Sequence, residues 1–135
     1  MPELRGFHHV KLPVTDVCRS RDWYGRVLGF ETEIEFVEEG VLMGLAMRDE
    51  ANSVHLAFRS APERSSALAG FDPIALAVAD RSELEAWARH LDELNQPHGG
   101  IVSGHIGWVI VGLTDPDGVE VRLYTLEDMA KGSKT

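Results

Sequence analysis

Apolar residues occupy alternate positions at Val10, Leu12 and Val14 and again at Ile74, Leu76 and Val78, the period of a strand with one buried face. Each run is followed by a stretch with helical spacing. In the first, Asp16 stands as N-cap, Val17, Tyr24, Val27 and Leu28 form the apolar stripe, and Gly29 ends the helix. In the second, Asp80 or Ser82 caps, with Glu83 or Glu85 three residues on, and Leu84, Trp87, Ala88, Leu91 and Leu94 form the stripe. Strands are then predicted over Glu31–Val37, Val41–Met47 and Ser53–Phe58, and over Ile101–Val102, Trp108–Leu113 and Val119–Thr125. Asp115-Pro116-Asp117-Gly118 reads as a turn joining the last two.

The two halves are a repeat. Phe7 to Leu28 lies on Phe71 to Asp92 at an offset of 64, matching Phe7 with Phe71, Leu12 with Leu76, Val14 with Val78, Asp16 with Asp80 and Trp23 with Trp87. Further on, Val54-His55-Leu56-Ala57 is laid on Val121-Arg122-Leu123-Tyr124 at an offset of 67, a slip that loops absorb. The expected architecture is α+β, β-α-β-β-β twice, forming a curved mixed sheet with a concave cavity and helices outside. One domain is expected over 1–135, with repeats at 6–60 and 70–127, a polar linker over Ser60 to Gly70 and a tail over 128–135.

Composition narrows the function classes. The 135 residues suffice for one core without disulfides or structural zinc, and the single cysteine, Cys18, excludes a cysteine-built metal site. A formal net charge of −9 at pH 7 repels phosphate backbones and anionic lipid surfaces, so neither nucleic acid nor membrane is expected as partner. No apolar run approaches the roughly 18–20 residues of a membrane span, and Met1-Pro-Glu-Leu-Arg lacks the apolar stretch of a signal peptide. A cytoplasmic protein is expected.

Several motifs together resemble the vicinal oxygen chelate superfamily of glyoxalases, bleomycin-resistance proteins and extradiol dioxygenases. They are Phe7-His8-His9-Val10-Lys11-Leu12-Pro13-Val14-Thr15-Asp16, then Ser20, Trp23-Tyr24 and Leu28-Gly29-Phe30, and finally Asp115-Pro116-Asp117-Gly118 before a closing strand. The resemblance implies a homodimer and a cavity with four ligand positions, one on the first and one on the last strand of each half. Carried over, these are His9, His55, Pro73 and Arg122. Two are imidazoles, one has no donor side chain, and one is a permanent cation where metal-dependent members usually carry glutamate.

On this reading no cofactor is expected, because two imidazoles fall short of the roughly three protein ligands a catalytic ion requires. The alternative is a divalent zinc, nickel, manganese or iron ion on His9, His55 and Glu120, since Glu120 returns to the face of Arg122. Alternation extends the lining to Lys11, Ala57 and Tyr124, while Trp108 offers a ring that either stacks on a ligand or joins the core. His9, Lys11, His55 and Arg122 form a basic lining that suits a small organic anion. The acidic surface, by contrast, resembles members that bind cationic antibiotics.

Other residues read as structural. Alternation points His8 to the helix-packed face, away from the site. Pro97 to Gly107 is glycine-rich and reads either as a flap or, more simply, as a plain loop holding His98 and His105. His90 falls opposite the apolar stripe, in solvent, and the glutamates at 31, 33, 35, 38 and 39 form a solvated face. Two functions remain open beside a third, a degenerate interaction module, which nothing positive supports and no sequence feature excludes. One is a metal-free small-molecule binder; the other is an enzyme of lyase, isomerase or dioxygenase type, using either the metal or His9 or His55 as a general base.

Overall fold

The computed structural model describes residues 1–126, and the tail expected over 128–135 lies outside the described residues. The elements run β1 (Val10–Val14), α1 (Val17–Leu28), β2 (Glu31–Glu38), β3 (Val41–Arg48), β4 (His55–Ser60), α2 (Pro62–Leu68), β5 (Ile74–Val78), α3 (Arg81–Glu93), β6 (Ile101–Ser103), β7 (Trp108–Ile110) and β8 (Val121–Thr125). The chain divides into two compact units, one over Met1–Ala67 and the other from Leu68 onward.

In the first unit the strands lie in the order β1-β4-β3-β2, with β1 parallel to β4 and the other pairs antiparallel. Asp16 caps α1 by accepting the Arg19 N–H at 3.0 Å, and Gly29 ends it at φ 78°, a conformation that costs a residue without Cβ nothing. The helix lies on one face of the sheet, where Trp23, Tyr24 and Val27 meet Leu45, Leu56 and Phe58. Tyr24 stacks on Phe58 at 4.7 Å between ring centroids. Each buried side chain of this size contributes about 1.5–3 kcal/mol. The opposite face of the sheet carries no helix of this unit.

The second unit repeats the plan in the order β5-β8-β7-β6, again with its first and last strands parallel. Of the two caps open to α3, the chain uses Asp80, which accepts the Glu83 N–H at 2.9 Å and the Ser82 hydroxyl at 3.0 Å. These bonds hold the Asp80 carboxyl below its usual range. Leu84 and Leu91 of α3 are buried with Val109, Ile110, Val121 and Leu123.

Three expectations are corrected. The polar linker over Ser60 to Gly70 contains a helix, α2, because Pro62 presets the first turn, Glu63 follows it and Ser65 turns inward. Strand β7 stops at Ile110 rather than Leu113, since Gly112 at φ +72° turns the chain beside Gly99. Most important, the offset between the last strands is 65 rather than 67. Val10 pairs with Leu56 and Ile74 with Val121, so Glu120, not Arg122, takes in the second unit the place that His55 takes in the first. A slip of two keeps every side chain on its face, so alternation alone did not reveal it.

Candidate functional site

The helix-free face of the first sheet is laid out in rows that follow from strand register. Lys11 pairs with Ala57, Ala57 with Ala46, and Ala46 with Ile34, which makes one row across all four strands. Below it lies Pro13, Arg59, Gly44 and Phe36. Above it, His55 pairs with Arg48 and Arg48 with Glu31. A cavity of about 280 Å³ opens on this face, with His9, Lys11, His55 and Ala57 in its lining. These are four of the eight residues the sequence offered, and all four belong to the first unit.

Six further residues line the same cavity without having been foreseen from the alternation: His8, Glu33, Ile34, Phe36, Ala46 and Leu56. His8 was expected on the opposite face. The strand begins only at Val10 and the chain bends at His8, so pleat alternation does not extend that far. His8 Nδ1 instead meets His9 Nδ1 at 2.9 Å, one ring donating and the other accepting. The β2 residues arrive through a β-bulge. Thr32 pairs with Met47 and Ile34 with Ala46, leaving Glu33 as the extra residue and turning Ile34 and Phe36 onto the cavity face. A run of alternating glutamates in the sequence did not announce that break.

The charges on this face are mostly matched in pairs. Arg48 approaches Glu31 and Glu33, each at 3.7 Å, and Glu33 also lies 3.9 Å from His55 Nδ1. Arg59 is bound to Glu38. Lys11 is the exception, since no carboxylate among the described residues forms an ion pair with it.

The other four expected residues, Trp108, Glu120, Arg122 and Tyr124, lie in the second unit. Arg122 Nε donates to Glu120 Oε2 at 2.7 Å and Arg122 Nη1 lies 3.4 Å from Asp72. Arg122, the Gly112 N–H at 3.2 Å and, against them, slight burial together leave the Glu120 carboxyl below its usual range. Tyr124 shares the face of Arg122, whereas Trp108 does not. Val109 pairs with Tyr124, so Trp108, one residue away, turns to the side of Thr125 and Leu123. Its ring is covered by the Arg81 guanidinium at 3.9 Å, which occupies the surface a ligand would have stacked on.

The family model for the Glyoxalase/Bleomycin resistance protein/Dioxygenase superfamily matches residues 6–123. The chain belongs to this superfamily. Among solved structures, TnmS3, an antibiotic binding protein from Streptomyces sp. CB03234, is similar at 19% identity and a TM-score of 0.72, covering 93% of this chain and 100% of that one. Lactoylglutathione lyase from Agrobacterium tumefaciens gives 17% identity and 0.72 over 91% and 95%. The fosfomycin resistance protein FosX from Listeria monocytogenes gives 13% and 0.69 over 93% and 96%. At these identities the likeness establishes the shared α+β glyoxalase/bleomycin-resistance fold. No protein of curated function matches the chain in sequence.

Members of this superfamily often hold a metal, which calls for about three protein donors. Within the first unit His9 and His55 are accompanied by Glu33, whose carboxylate is shared with Arg48. Glu120 in the second unit is bonded to Arg122, and Pro73 has no donor side chain. Among the described residues no three His, Cys, Asp or Glu side chains are grouped to hold an ion. These residues do not fit the chelate, whose ion takes about three protein donors. Two of the remaining histidines are tied elsewhere: His98 Nε2 meets Asp92 at 2.7 Å while its Nδ1 accepts the Gly100 N–H, and His90 packs edge-on to Trp87 at 5.4 Å rather than standing in solvent.

Proposed function

We propose that this chain is a small-molecule binder and that the cavity of its first unit takes a compact organic anion. The observation that supports this most directly is Lys11. Among the described residues it is the cation on the cavity face that no carboxylate pairs with, it shares the lining with three imidazoles, and apart from Glu33, whose carboxylate approaches Arg48, the rest of the wall is apolar. An anionic group at Lys11 gains charge-assisted hydrogen bonds from the ammonium and from imidazole N–H groups, while Ile34, Phe36 and the alanines take up its hydrocarbon. Donors come from side chains and not from an ion, in keeping with the poor fit of the residues to a chelate. A volume of about 280 Å³ lies just below the roughly 300–1,000 Å³ of drug-sized pockets, so the ligand is small. The same reading includes a homodimer in the cytoplasm, the former checked by light scattering.

The test is calorimetric titration with small carboxylates and phosphonates, each matched with a neutral amide and a cationic amine of the same shape. Anions binding at least tenfold tighter than their neutral counterparts, with Lys11→Ala abolishing the difference, support the reading. Equal affinity for anion and neutral, or an unchanged Lys11→Ala variant, overturns it.

A second reading, metal-free acid–base catalysis, draws on His55 beside Glu33 at 3.9 Å. A carboxylate there orients the ring so that its other nitrogen is available as a base. Solvent-deuterium uptake into a bound carbonyl compound, lost in His55→Ala, would reveal it.

A further inference from the structure

We infer that the ligand's body is a flat aromatic ring system, admitted by Ala46 and Ala57 and held against Phe36; this rests on the anion-binding reading. The row Lys11, Ala57, Ala46, Ile34 crosses four strands. With strands about 4.8 Å apart, its ends are separated by roughly 14 Å, and only two methyl groups stand between them. That is a floor of low relief, with a cation at one end and an apolar side chain at the other. In the next row Gly44 has no side chain at all. Phe36 leans into that gap, its Cδ2 3.7 Å from where a Cβ on Gly44 would lie.

Ile34 and Phe36 are 47% and 44% exposed, although the bulge at Glu33 turns them onto the cavity face. Apolar side chains placed on a cavity wall and left half in water are surface that a ligand covers. A flat ring lying on the two alanines contacts the floor across its whole face and presents its edge to Phe36, an arrangement that aromatic pairs favour. A saturated ring system is thicker, touches the floor only at protruding hydrogens and lacks the edge-to-face contact. The negative group then points to Lys11 at the open end of the row.

The experiment uses three probes of one outline: 2-naphthoate, its saturated counterpart decahydronaphthalene-2-carboxylate, and neutral 2-naphthamide, titrated calorimetrically into the full chain. Naphthoate binding about tenfold tighter than the saturated acid, with Ala46→Leu lowering naphthoate affinity at least tenfold at an unchanged melting temperature, supports the inference. Should Ala46→Leu fail to fold, Phe36→Ala, at an exposed position, is expected to weaken naphthoate more than the saturated acid. Equal binding of the two acids, or equal loss in Phe36→Ala, overturns the aromatic class and leaves the anion reading standing. Naphthamide binding as well as naphthoate overturns the anion reading on which the inference rests. No binding by any of the three overturns both.

Discussion

Arg59 on β4 reaches Glu38 on β2 across the whole width of β3, its two terminal nitrogens 2.5 and 3.0 Å from the two carboxylate oxygens. The lane that allows this is Gly44, which pairs with Arg59 on one side and Phe36 on the other. A two-pronged bond of this kind ties the edge strand to the interior of the sheet and sets one border of the cavity face.

Gly44→Ala is therefore expected to be costly. The new Cβ would stand 2.6 Å from the Phe58 carbonyl oxygen and 3.7 Å from both Arg59 Cδ and Phe36 Cδ2. Backbone on the neighbouring strand has little freedom to withdraw, so the change is expected to destabilise by about 1–3 kcal/mol and to lower the melting temperature by several degrees. Differential scanning calorimetry checks it. A variant melting with the parent would mean that the strands part without cost.

Stability is also expected to depend on acid. The bond from Arg59 holds the Glu38 carboxyl below its usual range against slight burial, Arg122 does the same for Glu120, and the Glu83 N–H and Ser82 hydroxyl for Asp80. A carboxyl depressed in the folded state contributes stability that is present above its unfolded pKa, about 4 to 4.5, and is lost as pH falls through the folded value. Melting temperature is expected to be level, as far as these groups go, between about pH 6 and 8 and to fall below about pH 4. Glu38→Gln should flatten part of that fall by lowering the melting temperature in the upper range, where the carboxylate is ionised, while leaving the acid end as it is. A wild-type melting temperature constant down to pH 3 would remove these pairs as a source of stability.

His55 owes its position to Asp49. Burial raises the Asp49 carboxyl, but bonds from the Val54 and Ser53 N–H groups and the Ser53 hydroxyl, at 2.7–2.8 Å, outweigh it and bring it below its usual range. One carboxylate thus ties the turn between β3 and β4 immediately before His55. Asp49→Ala is expected to cost about 1–2 kcal/mol and to weaken anion binding several-fold through a loosened His55, while Ser53→Ala, which removes one of the bonds, does less of both. Paired melting and titration curves separate the two effects.

Both halves of the fold were legible because local signals agreed at every level. Asp16 and Asp80 capped, Gly29 stopped, and the alternating runs faced inward where the helices lie. The site was less so. His9 and His55 were offered by the resemblance, Lys11 and Ala57 by alternation inside β1 and β4, and all four line the one cavity. His8 was missed because it precedes the strand, and Ile34 and Phe36 because a bulge at Glu33 inverts the face on which the rest of β2 should lie. The exchange of Glu120 for Arg122 is a register question. Pattern with a period of two does not distinguish a slip of two, and only hydrogen-bonded pairing fixes it.

The glycine-rich segment after α3 offers the sharpest contrast between a flap and a fixed loop. His98 is nearly enclosed, with 11% of its side chain exposed. It bridges two elements, donating from Nε2 to Asp92 at the end of α3 and accepting the Gly100 N–H at Nδ1, beside the Gly99 N–H to Val111 carbonyl bond. A neutral ring with its proton on Nε2 satisfies both partners at once. His98→Ala removes the acceptor of a half-buried N–H, so amide exchange at Gly100 is expected to quicken by about tenfold or more, corresponding to roughly 1.4 kcal/mol or more of local opening. Exchange within β1 and β4 is expected to stay as it was. A rate at Gly100 already fast in the parent chain would restore the flap, since the histidine would then be holding nothing closed.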